Sequence, residues 1–237
     1  MGSSIPETFT APAQTLSFDG LLFDFDGTII DSTPAIVKHW HRLGAELNLD
    51  PEVILKTSHG RRSIDVLQII APEKANWEYV SYIEGRIPRE DGHSATEIPG
   101  ARQLLDSLND AGAPWAVVTS GTRALVQGWL EVMKLAHPKY MVVAEDVEVG
   151  KPDPRCYVLG RTRLGMAEGA EMLVLEDAPS GIRAGKAAGF KVVAVVTSHK
   201  IDELKEAGAD WIVQDLRSVT LKGCNGKVEV EISNALQ

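Results

Sequence analysis

The sequence predicts an α/β fold with a doubly wound, mostly parallel sheet and an inserted helical unit. Six short, continuous apolar runs alternate with helical patterns along the chain. Such runs are typical of strands buried on both faces of a parallel sheet, and their alternation with helices is typical of βαβ crossovers. From Pro34 to about Ile98, by contrast, helical patterns occur without a convincing buried strand. This interruption predicts a helical cap that leaves the core near Asp31 and returns near Pro99.

The predicted strands follow the apolar runs in chain order. The runs cover residues 20–25, 115–119, 141–144, 172–175, 192–196 and 211–213. A helix is predicted over 101–111, because apolar residues recur there every three or four positions and Gly112 supplies a stop. Near the end of the chain, Asn225-Gly226 is a turn signal, and the residues after it alternate between apolar and polar. This pattern predicts an antiparallel edge hairpin.

The domain organisation follows from these patterns. The first residues are rich in Ser, Thr, Pro and Ala, which favours a flexible tail. Thr33-Pro34 is typical of a helix N-cap followed by proline at the first helical position. The predicted organisation is a flexible N-terminal tail over 1–17, an α/β core over 18–32 and 99–237, and a helical cap domain over 33–98.

Composition argues against several kinds of partner. The chain has 24 Lys+Arg and 33 Asp+Glu, a formal net charge of −9, whereas binding to nucleic acid or to an anionic membrane needs a basic face. No apolar run approaches the roughly 18 to 20 residues of a membrane span. Cys156 and Cys224 are far apart and lack a CxxC context, which argues against a disulfide scaffold or a structural zinc site. We expect a cytoplasmic monomer without nucleic-acid or membrane partners.

Polar residues and glycines lie at or just beyond the ends of four of the predicted strands. They are Asp24, Asp26 and Gly27 at the end of the first strand, Thr119, Ser120 and Gly121 at the end of the second, Lys151 after the third, and Glu176 and Asp177 at the end of the fourth. Ligands of open α/β sheets bind at the carboxyl ends of the strands. The sequence therefore predicts that these side chains converge on one rim of the sheet.

These residue types suit phosphoryl transfer through a covalent aspartate. A carboxylate can attack phosphorus, and the spacing lets Asp24 attack while Asp26 protonates the leaving oxygen and later takes a proton from water. Gly27 lets the backbone turn tightly and present amides to phosphate. Several carboxylates on one rim repel each other and the phosphate, and a hard cation such as Mg²⁺ resolves both problems. Lys151 then neutralises the remaining negative charge.

In order along the chain, these residues resemble the four motifs of the haloacid dehalogenase superfamily. The resemblance covers nearly the whole chain after the tail, and it includes the position of the helical insert. It implies that Asp24 is the nucleophile and Asp26 the general acid/base. It also implies that Lys151 stabilises the nucleophile and the phosphate, and that Thr119 and the Ser120 amide bind the phosphate. The metal ligands implied for Mg²⁺ are Asp24, the carbonyl of Asp26, and Asp177, with Glu176 either a direct ligand or one step removed.

Further stretches are similar to the fungal glycerol-3-phosphate phosphatases and their siblings, the 2-deoxyglucose-6-phosphate phosphatases. They cover residues 58–62, 98–101, 116–123, 175–182 and 184–189, and residues 84–88 and 119–123 are nearer to the glycerol-phosphatase pattern. The resemblance implies a Mg²⁺-dependent phosphatase acting on a small phosphorylated polyol or sugar, with glycerol 3-phosphate first. A 2-deoxyglucose-6-phosphate or other sugar-phosphate phosphatase remains an alternative, as does a hexose-phosphate mutase. A non-catalytic sensor on this fold is a further alternative, which phosphate release would exclude.

The cap supplies further candidates. The family pattern puts a functional arginine at Arg62, and we hypothesise that it reaches a substrate hydroxyl or phosphate oxygen, assisted by His59. On the first cap helix, we expect His39 and His41 to be exposed rather than catalytic. The residues predicted to bind substrate or phosphate are Gly27, Thr119, Ser120, Gly121, His59 and Arg62.

Overall fold

The computed structural model describes residues 7–58 and 60–237. Its strands are β1 (Gln14–Phe18), β2 (Gly20–Phe23), β3 (Ile30–Asp31), β4 (Thr96–Glu97), β5 (Trp115–Val118), β6 (Met141–Val142), β7 (Met172–Glu176), β8 (Lys191–Val195), β9 (Trp211–Val213), β10 (Val219–Asn225) and β11 (Lys227–Ile232). Its α-helices are α1 (Thr33–Leu47), α2 (Pro51–Ser58), α3 (Ser63–Ile70), α4 (Trp77–Asp91), α5 (Ala101–Asp110), α6 (Arg123–Met133), α7 (Arg155–Arg163), α8 (Pro179–Ala187) and α9 (Ile201–Ala207).

A six-stranded parallel sheet forms the centre of the protein, with the strand order β6-β5-β2-β7-β8-β9. Strand β2 therefore lies between β5 and β7, and Leu22 is paired with Ala116 on one side and Val174 on the other. Because β2, the first strand of this sheet in chain order, lies inside it and later strands are added on both sides, the sheet is doubly wound. The predicted fold class is confirmed, and the six predicted strands are the six strands of this sheet.

Both faces of this sheet are buried, which explains why its strands read as continuous apolar runs. Successive side chains of a strand point to opposite faces. Leu21 and Phe23 accordingly belong to one hydrophobic cluster, whereas Leu22 belongs to the other together with Ala116 and Val174. The apolar sequence of β2 thus fills two cores and fixes the strand at the centre of the molecule.

Helices α1 to α4 occupy the stretch predicted to form a cap, and they carry an apolar cluster of their own. Trp40, Leu43 and Ile54 pack there with residues of α3 and α4. The chain enters and leaves this helical unit through the short antiparallel pair β3–β4, in which Ile30 lies opposite Glu97. We call the unit from α1 to α4 the cap below.

The prediction of a flexible tail over 1–17 is wrong for its last part. Residues 14–17 belong to β1, which pairs with β11 so that Gln14 lies opposite Ile232. Leu16 and Phe18 alternate with polar residues, and Phe18 is buried, so this short segment gains a packed face from the hairpin. The beginning of the predicted tail, residues 1–6, lies outside the described residues.

The predicted C-terminal hairpin is present, but it does not extend the edge of the main sheet. Strands β10 and β11 pair on either side of Gly226, and β1 adds to β11 to form a separate three-stranded antiparallel sheet. Val228 and Val230 of β11 are buried in the larger core cluster. Among the described residues, no helix has the length and apolar character needed to cross a bilayer.

Candidate active site

The carboxyl ends of three neighbouring strands bring the predicted residues together. Asp24 follows β2, Thr119 follows β5, and Asp177 follows β7, and these strands are adjacent in the sheet. A cavity of about 90 Å³ lies between this rim and the cap. We call its rim side the core half, which is lined by Asp24, Asp26, Gly27, Thr119, Ser120, Gly121, Glu176 and Asp177. The predicted convergence of these residues is therefore what the structure shows.

Lys151 is buried beneath the core half, where it joins two carboxylates. Its Nζ lies 2.6 Å from Asp24 Oδ1 and 2.6 Å from Glu176 Oε1, and it donates to the Val118 carbonyl at 3.2 Å. Burial alone would lower the pKa of Lys151, but the carboxylates of Asp24 and Glu176 outweigh it and hold this pKa well above its usual value. Lys151 is therefore a fixed positive charge, and it leaves the second oxygen of Asp24 free of this contact.

Each carboxylate oxygen of Glu176 accepts two hydrogen bonds. Its Oε1 accepts from Lys151 and from the Tyr157 hydroxyl at 3.0 Å, and its Oε2 accepts from the amides of Asp177 and Ala178 at 2.8 and 2.7 Å. A Cβ at Gly181, on α8, would overlap this carboxylate. The environment of Glu176 thus orients its charge towards Lys151.

Asp26 lies two residues beyond Asp24 and is held by a neighbouring hydroxyl. Ser32 Oγ donates to Asp26 Oδ1 at 2.6 Å. Burial raises the pKa of Asp26 to about 6, against the lowering effects of Ser32 and Lys151. A carboxyl with such a pKa can exchange a proton near neutral pH, which is what a general acid/base needs.

Gly27 lies in the tight turn between these aspartates and Asp177. Its φ of +94° is in the left-handed region that favours glycine, and a Cβ at this position would overlap the Asp177 carboxylate. Asp177 is itself held by the hydroxyls of Thr28 and Ser198. The glycine therefore serves both the turn and the close approach of Asp177.

Three buried carboxylates converge beside this turn. Ligand oxygens of Asp24, Glu176 and Asp177 all lie within 4.8 Å of one another. Burial raises the pKa of Asp24 to about 8, and burial together with Glu176 and Asp24 raises the pKa of Asp177 well above its usual range. Three carboxylates face the single ammonium of Lys151, and buried charge of one sign is costly without compensation. An all-oxygen donor set with this excess of negative charge fits a hard divalent cation such as Mg²⁺.

The loop after β5 connects the core half to the cap. Thr119 Oγ1 accepts a hydrogen bond from the Gly121 amide at 3.0 Å, so its side chain is held in place. Ser120 Oγ donates to the carbonyl of Gly60, which also accepts from Ser180 Oγ. The hydroxyl of Ser120 therefore contacts the cap.

The cap side of the cavity differs in composition. We call it the cap half, which is lined by Ile36, His39, Trp40, Ser58, Arg61, Ser63, Glu84 and Ile87. Glu84 is buried and bridges cap and core, because its carboxylate accepts from Ser63 Oγ at 2.5 Å and from the Thr122 amide at 2.7 Å. Burial raises the pKa of Glu84 to about 7, and these two hydrogen bonds oppose the rise.

Arg62, which was predicted to reach the substrate, does not line the cavity in the structure. Its guanidinium forms a bidentate pair with Asp65 at 2.8 and 2.7 Å, and it donates to the carbonyls of Val147 and Glu148 at 2.6 and 3.0 Å. Arg62 lies just before α3 with extended backbone angles, which turn its side chain towards the loop before Lys151. Its neighbour Arg61 lines the cavity instead.

Two further predictions about the cap have different outcomes. His59, predicted to assist Arg62, lies outside the described residues. His39 was expected to be exposed with His41, but it is only 6% exposed and lines the cavity, whereas His41 is exposed. The helical pattern of α1 places His39 beside Trp40 on the inner face, which the apolar stripe alone does not reveal.

Sequence reasoning also missed residues that position the predicted ones. Tyr157 reaches Glu176 from α7, and no spacing rule links the two. Thr33 was interpreted as the N-cap of α1, whereas Ser32 occupies that position and its hydroxyl bonds to Asp26. The only available signal for Ser32 was its nearness in sequence to the first motif.

The fold and site together define a hydrolase in which acidic residues at the edge of a parallel sheet face a helical cap. The chain belongs to the haloacid dehalogenase-like hydrolase family, whose model matches residues 21–195. It is 41% identical to "Glycerol-1-phosphate phosphohydrolase 2" of Saccharomyces cerevisiae over 93% of this chain and 91% of that protein. It is also 35% identical to "2-deoxyglucose-6-phosphate phosphatase 1" of the same yeast, over 93% of this chain and 97% of that protein.

A solved structure of similar architecture comes from a hydrolase of Pseudomonas syringae. Its TM-score to this chain is 0.71 at 26% identity, and the match covers 83% of this chain and 94% of the other. These comparisons confirm the predicted superfamily and the predicted class of enzyme, a phosphatase of that superfamily.

Proposed function

We propose that this enzyme is a Mg²⁺-dependent phosphomonoesterase of a small phosphorylated polyol or sugar, with glycerol 3-phosphate as the first candidate. The observation that carries the proposal is the contact of Lys151 with Asp24 beside the acidic cluster. This contact holds one oxygen of Asp24, so the other oxygen can face the phosphorus. The names of the yeast relatives support the substrate class.

The reaction proceeds in two displacements. The free oxygen of Asp24 attacks phosphorus, the bond from phosphorus to the ester oxygen breaks, and Asp26 donates its proton to the leaving alkoxide. Asp26 then takes a proton from water, the water oxygen attacks the same phosphorus, and the bond to Asp24 breaks to release inorganic phosphate. The pKa of about 6 at Asp26 suits both proton transfers. Lys151 and Thr119 stabilise negative charge on the phosphoryl oxygens.

Mg²⁺ would be held by Asp24, Asp177 and the carbonyl of Asp26, and when bound it supplies charge neutralisation for the phosphoryl group. Glu176 takes another part, because both of its oxygens already accept hydrogen bonds. We assign Glu176 to the positioning of Lys151 instead of to the metal. The family resemblance implies that Glu176 either binds the metal directly or acts on it through another residue. The hydrogen bonds of Glu176 fit the second role better.

The sugar-phosphate alternative differs only in the leaving group, so the cap half of the cavity decides between the two. A hexose-phosphate mutase would also have to hold a second phosphate near Glu84, whose carboxylate would repel it when ionised. The proposal includes a monomeric, cytoplasmic enzyme without nucleic-acid or membrane partners, supported by the net charge of −9 and by two free cysteines.

The test is phosphate release across both enantiomers of glycerol phosphate, 2-deoxyglucose 6-phosphate and hexitol phosphates, with Mg²⁺ present. We expect free phosphate from all active substrates and the highest kcat/KM for glycerol 3-phosphate. A preference for 2-deoxyglucose 6-phosphate would support the sugar-phosphatase alternative. Accumulation of a bisphosphate without free phosphate would support the mutase, and the absence of turnover on every ester would contradict the proposal.

A further inference from the structure

Buried polar atoms without a partner are concentrated at the cap half of the cavity. Among the described residues, the buried side-chain atoms without a hydrogen bond are His39 Nε2, Ser58 Oγ, Trp129 Nε1 and Arg161 Nε. His39 and Ser58 are each 6% exposed, and both line the cavity, whereas Trp129 and Arg161 do not. The large majority of buried side-chain polar atoms in native proteins have a partner, and leaving one unpaired costs about 1–3 kcal/mol. A partner from outside the protein is therefore expected at His39 and Ser58.

Glu84 adds acceptor capacity to the same half of the cavity. Its Oε1 accepts from Ser63 and its Oε2 accepts from the Thr122 amide, and a carboxylate oxygen can accept two hydrogen bonds. Its carboxylate is buried on α4, on the cap side of the catalytic aspartates. A ligand group that can donate a hydrogen bond is the natural partner of its remaining lone pairs.

The charge of these groups indicates what they bind. Burial lowers the pKa of His39 to about 4, helped by the positive charges of Arg42 and Arg86, so its imidazole is neutral at physiological pH. A neutral imidazole, a serine hydroxyl and a carboxylate do not attract a second phosphate. A hydroxyl group can both donate and accept, so it can pair with each of the three.

Apolar side chains surround these polar groups. Ile36, Trp40 and Ile87 line the same half of the cavity. Binding sites for small molecules are mostly apolar with a few precisely placed polar groups, and such walls suit the C–H surfaces of a carbon chain that carries hydroxyls. The cap half thus has the composition of a site for a short polyhydroxylated chain.

We propose that His39, Ser58 and Glu84 form a subsite that binds the hydroxyl groups of the leaving alcohol and selects a polyol phosphate over other phosphate esters. This inference rests on the proposed function, because it places the ester phosphate at the core half. It assigns substrate selection to three cap residues that take no part in bond breaking. A site of this kind discriminates strongly, because an alcohol without hydroxyls leaves its buried polar groups unpaired.

The experiment compares two esters that differ only in hydroxyl groups, glycerol 3-phosphate and n-propyl phosphate. The readout is the selectivity ratio, which is kcat/KM for the first ester divided by kcat/KM for the second. We expect His39→Phe, Ser58→Ala and Glu84→Gln each to lower this ratio at least tenfold. Loss of the fold or of the metal lowers the hydrolysis of both esters alike, so it does not change the selectivity ratio.

The chain offers matched controls for each variant. His41→Phe lies on the same helix as His39→Phe, and Glu78→Gln lies on the same helix as Glu84→Gln. Ser94→Ala removes a hydroxyl just after α4 that accepts a hydrogen bond from Lys38. We expect each control to keep the ratio within twofold of wild type.

Two results would overturn the subsite. One is a fall of less than tenfold in this ratio in any of the three subsite variants. The other is a wild-type enzyme that hydrolyses both esters equally well, which would leave the phosphatase activity itself standing. A wild-type enzyme that hydrolyses sugar phosphates but neither of these two esters would also overturn the subsite. A wild-type enzyme that releases phosphate from no ester at all contradicts the proposed function, so the two failures are distinguishable.

Discussion

The two halves of the cavity differ in how completely their polar groups are paired. In the core half, Lys151 and Glu176 are saturated by protein groups, and Asp24 and Asp177 are held by neighbours. In the cap half, His39 has an atom without a partner among the described residues. A paired network holds its members in one geometry, as catalysis requires. Unpaired polar groups can instead bind a ligand. We therefore propose that bond breaking takes place in the core half and that the cap half selects the substrate.

The largest effect is expected at Asp24, the proposed nucleophile. Asp24→Asn removes the attacking charge but keeps the shape of the side chain, so we expect kcat to fall by about a thousandfold or more. The measurement is phosphate release, with circular dichroism to confirm the fold. Asp106→Asn, an exposed change on α5, is the control and should keep wild-type turnover. Substantial turnover by Asp24→Asn would show that the core half does not carry out the reaction through Asp24.

The second effect concerns the buried ammonium. Lys151→Met leaves Asp24 and Glu176 without their shared counter-ion, and removal of one partner of a buried ion pair costs about 3–5 kcal/mol. We expect the free energy of unfolding to fall by an amount of this order in denaturant titration, together with loss of activity. Lys139→Met, at an exposed position, should change neither. A Lys151→Met protein as stable as wild type would show that the network is not tightly coupled.

The third effect is the pH dependence of stability at Glu84. Its pKa rises from an ordinary 4.5 to about 7 on folding, so the folded protein binds more protons between these values and the free energy of unfolding falls as pH rises. Glu84→Gln removes this dependence. We expect it to gain about 3 kcal/mol relative to wild type between pH 4.5 and pH 7.5.

Denaturant titrations of both proteins across this pH range measure the difference. Glu78→Gln, at an exposed position on the same helix, should track wild type at every pH. A constant difference between Glu84→Gln and wild type would mean that the pKa of Glu84 is the same in the folded and unfolded protein, and that the carboxyl is more solvated than its burial indicates.

The smallest effect separates two adjacent arginines. Arg62→Met removes the bonds to Asp65 and to two loop carbonyls, and we expect it to lower the free energy of unfolding by about 2 kcal/mol. Arg61→Met should change stability by less than about 0.5 kcal/mol, as exposed positions usually do, while it alters KM. Thermal unfolding and steady-state kinetics distinguish the two. An altered KM in Arg62→Met, together with a lower stability of Arg61→Met, would instead assign substrate binding to Arg62.

The core half could be predicted from the sequence because its residues follow buried strands. Once Asp24, Thr119 and Asp177 are placed at the carboxyl ends of parallel strands, the topology itself brings them together. The contacts of Tyr157 could not be predicted, since they depend on how α7 packs against the sheet. The choice between Arg61 and Arg62 could not be predicted either, because it depends on backbone angles at the start of α3.

The strand β1 was missed for a different reason. Its alternation is short, it lies among residues typical of a tail, and its partner β11 is more than 200 residues away in sequence. His39 was missed because a polar residue on an apolar helix face is predicted to be exposed unless the partner surface is known. Local pattern therefore specified the sheet and its rim, whereas long-range packing specified the cap half and the terminal sheet.

We propose that the core half hydrolyses phosphate esters when a divalent cation neutralises its acidic cluster. The most direct test is the initial rate of phosphate release from glycerol 3-phosphate by the wild-type enzyme, measured in Mg²⁺, after EDTA, and after Mg²⁺ is restored. We expect phosphate release in Mg²⁺, loss of nearly all release in EDTA, and recovery when Mg²⁺ is added back. An equal rate in EDTA would contradict this proposal.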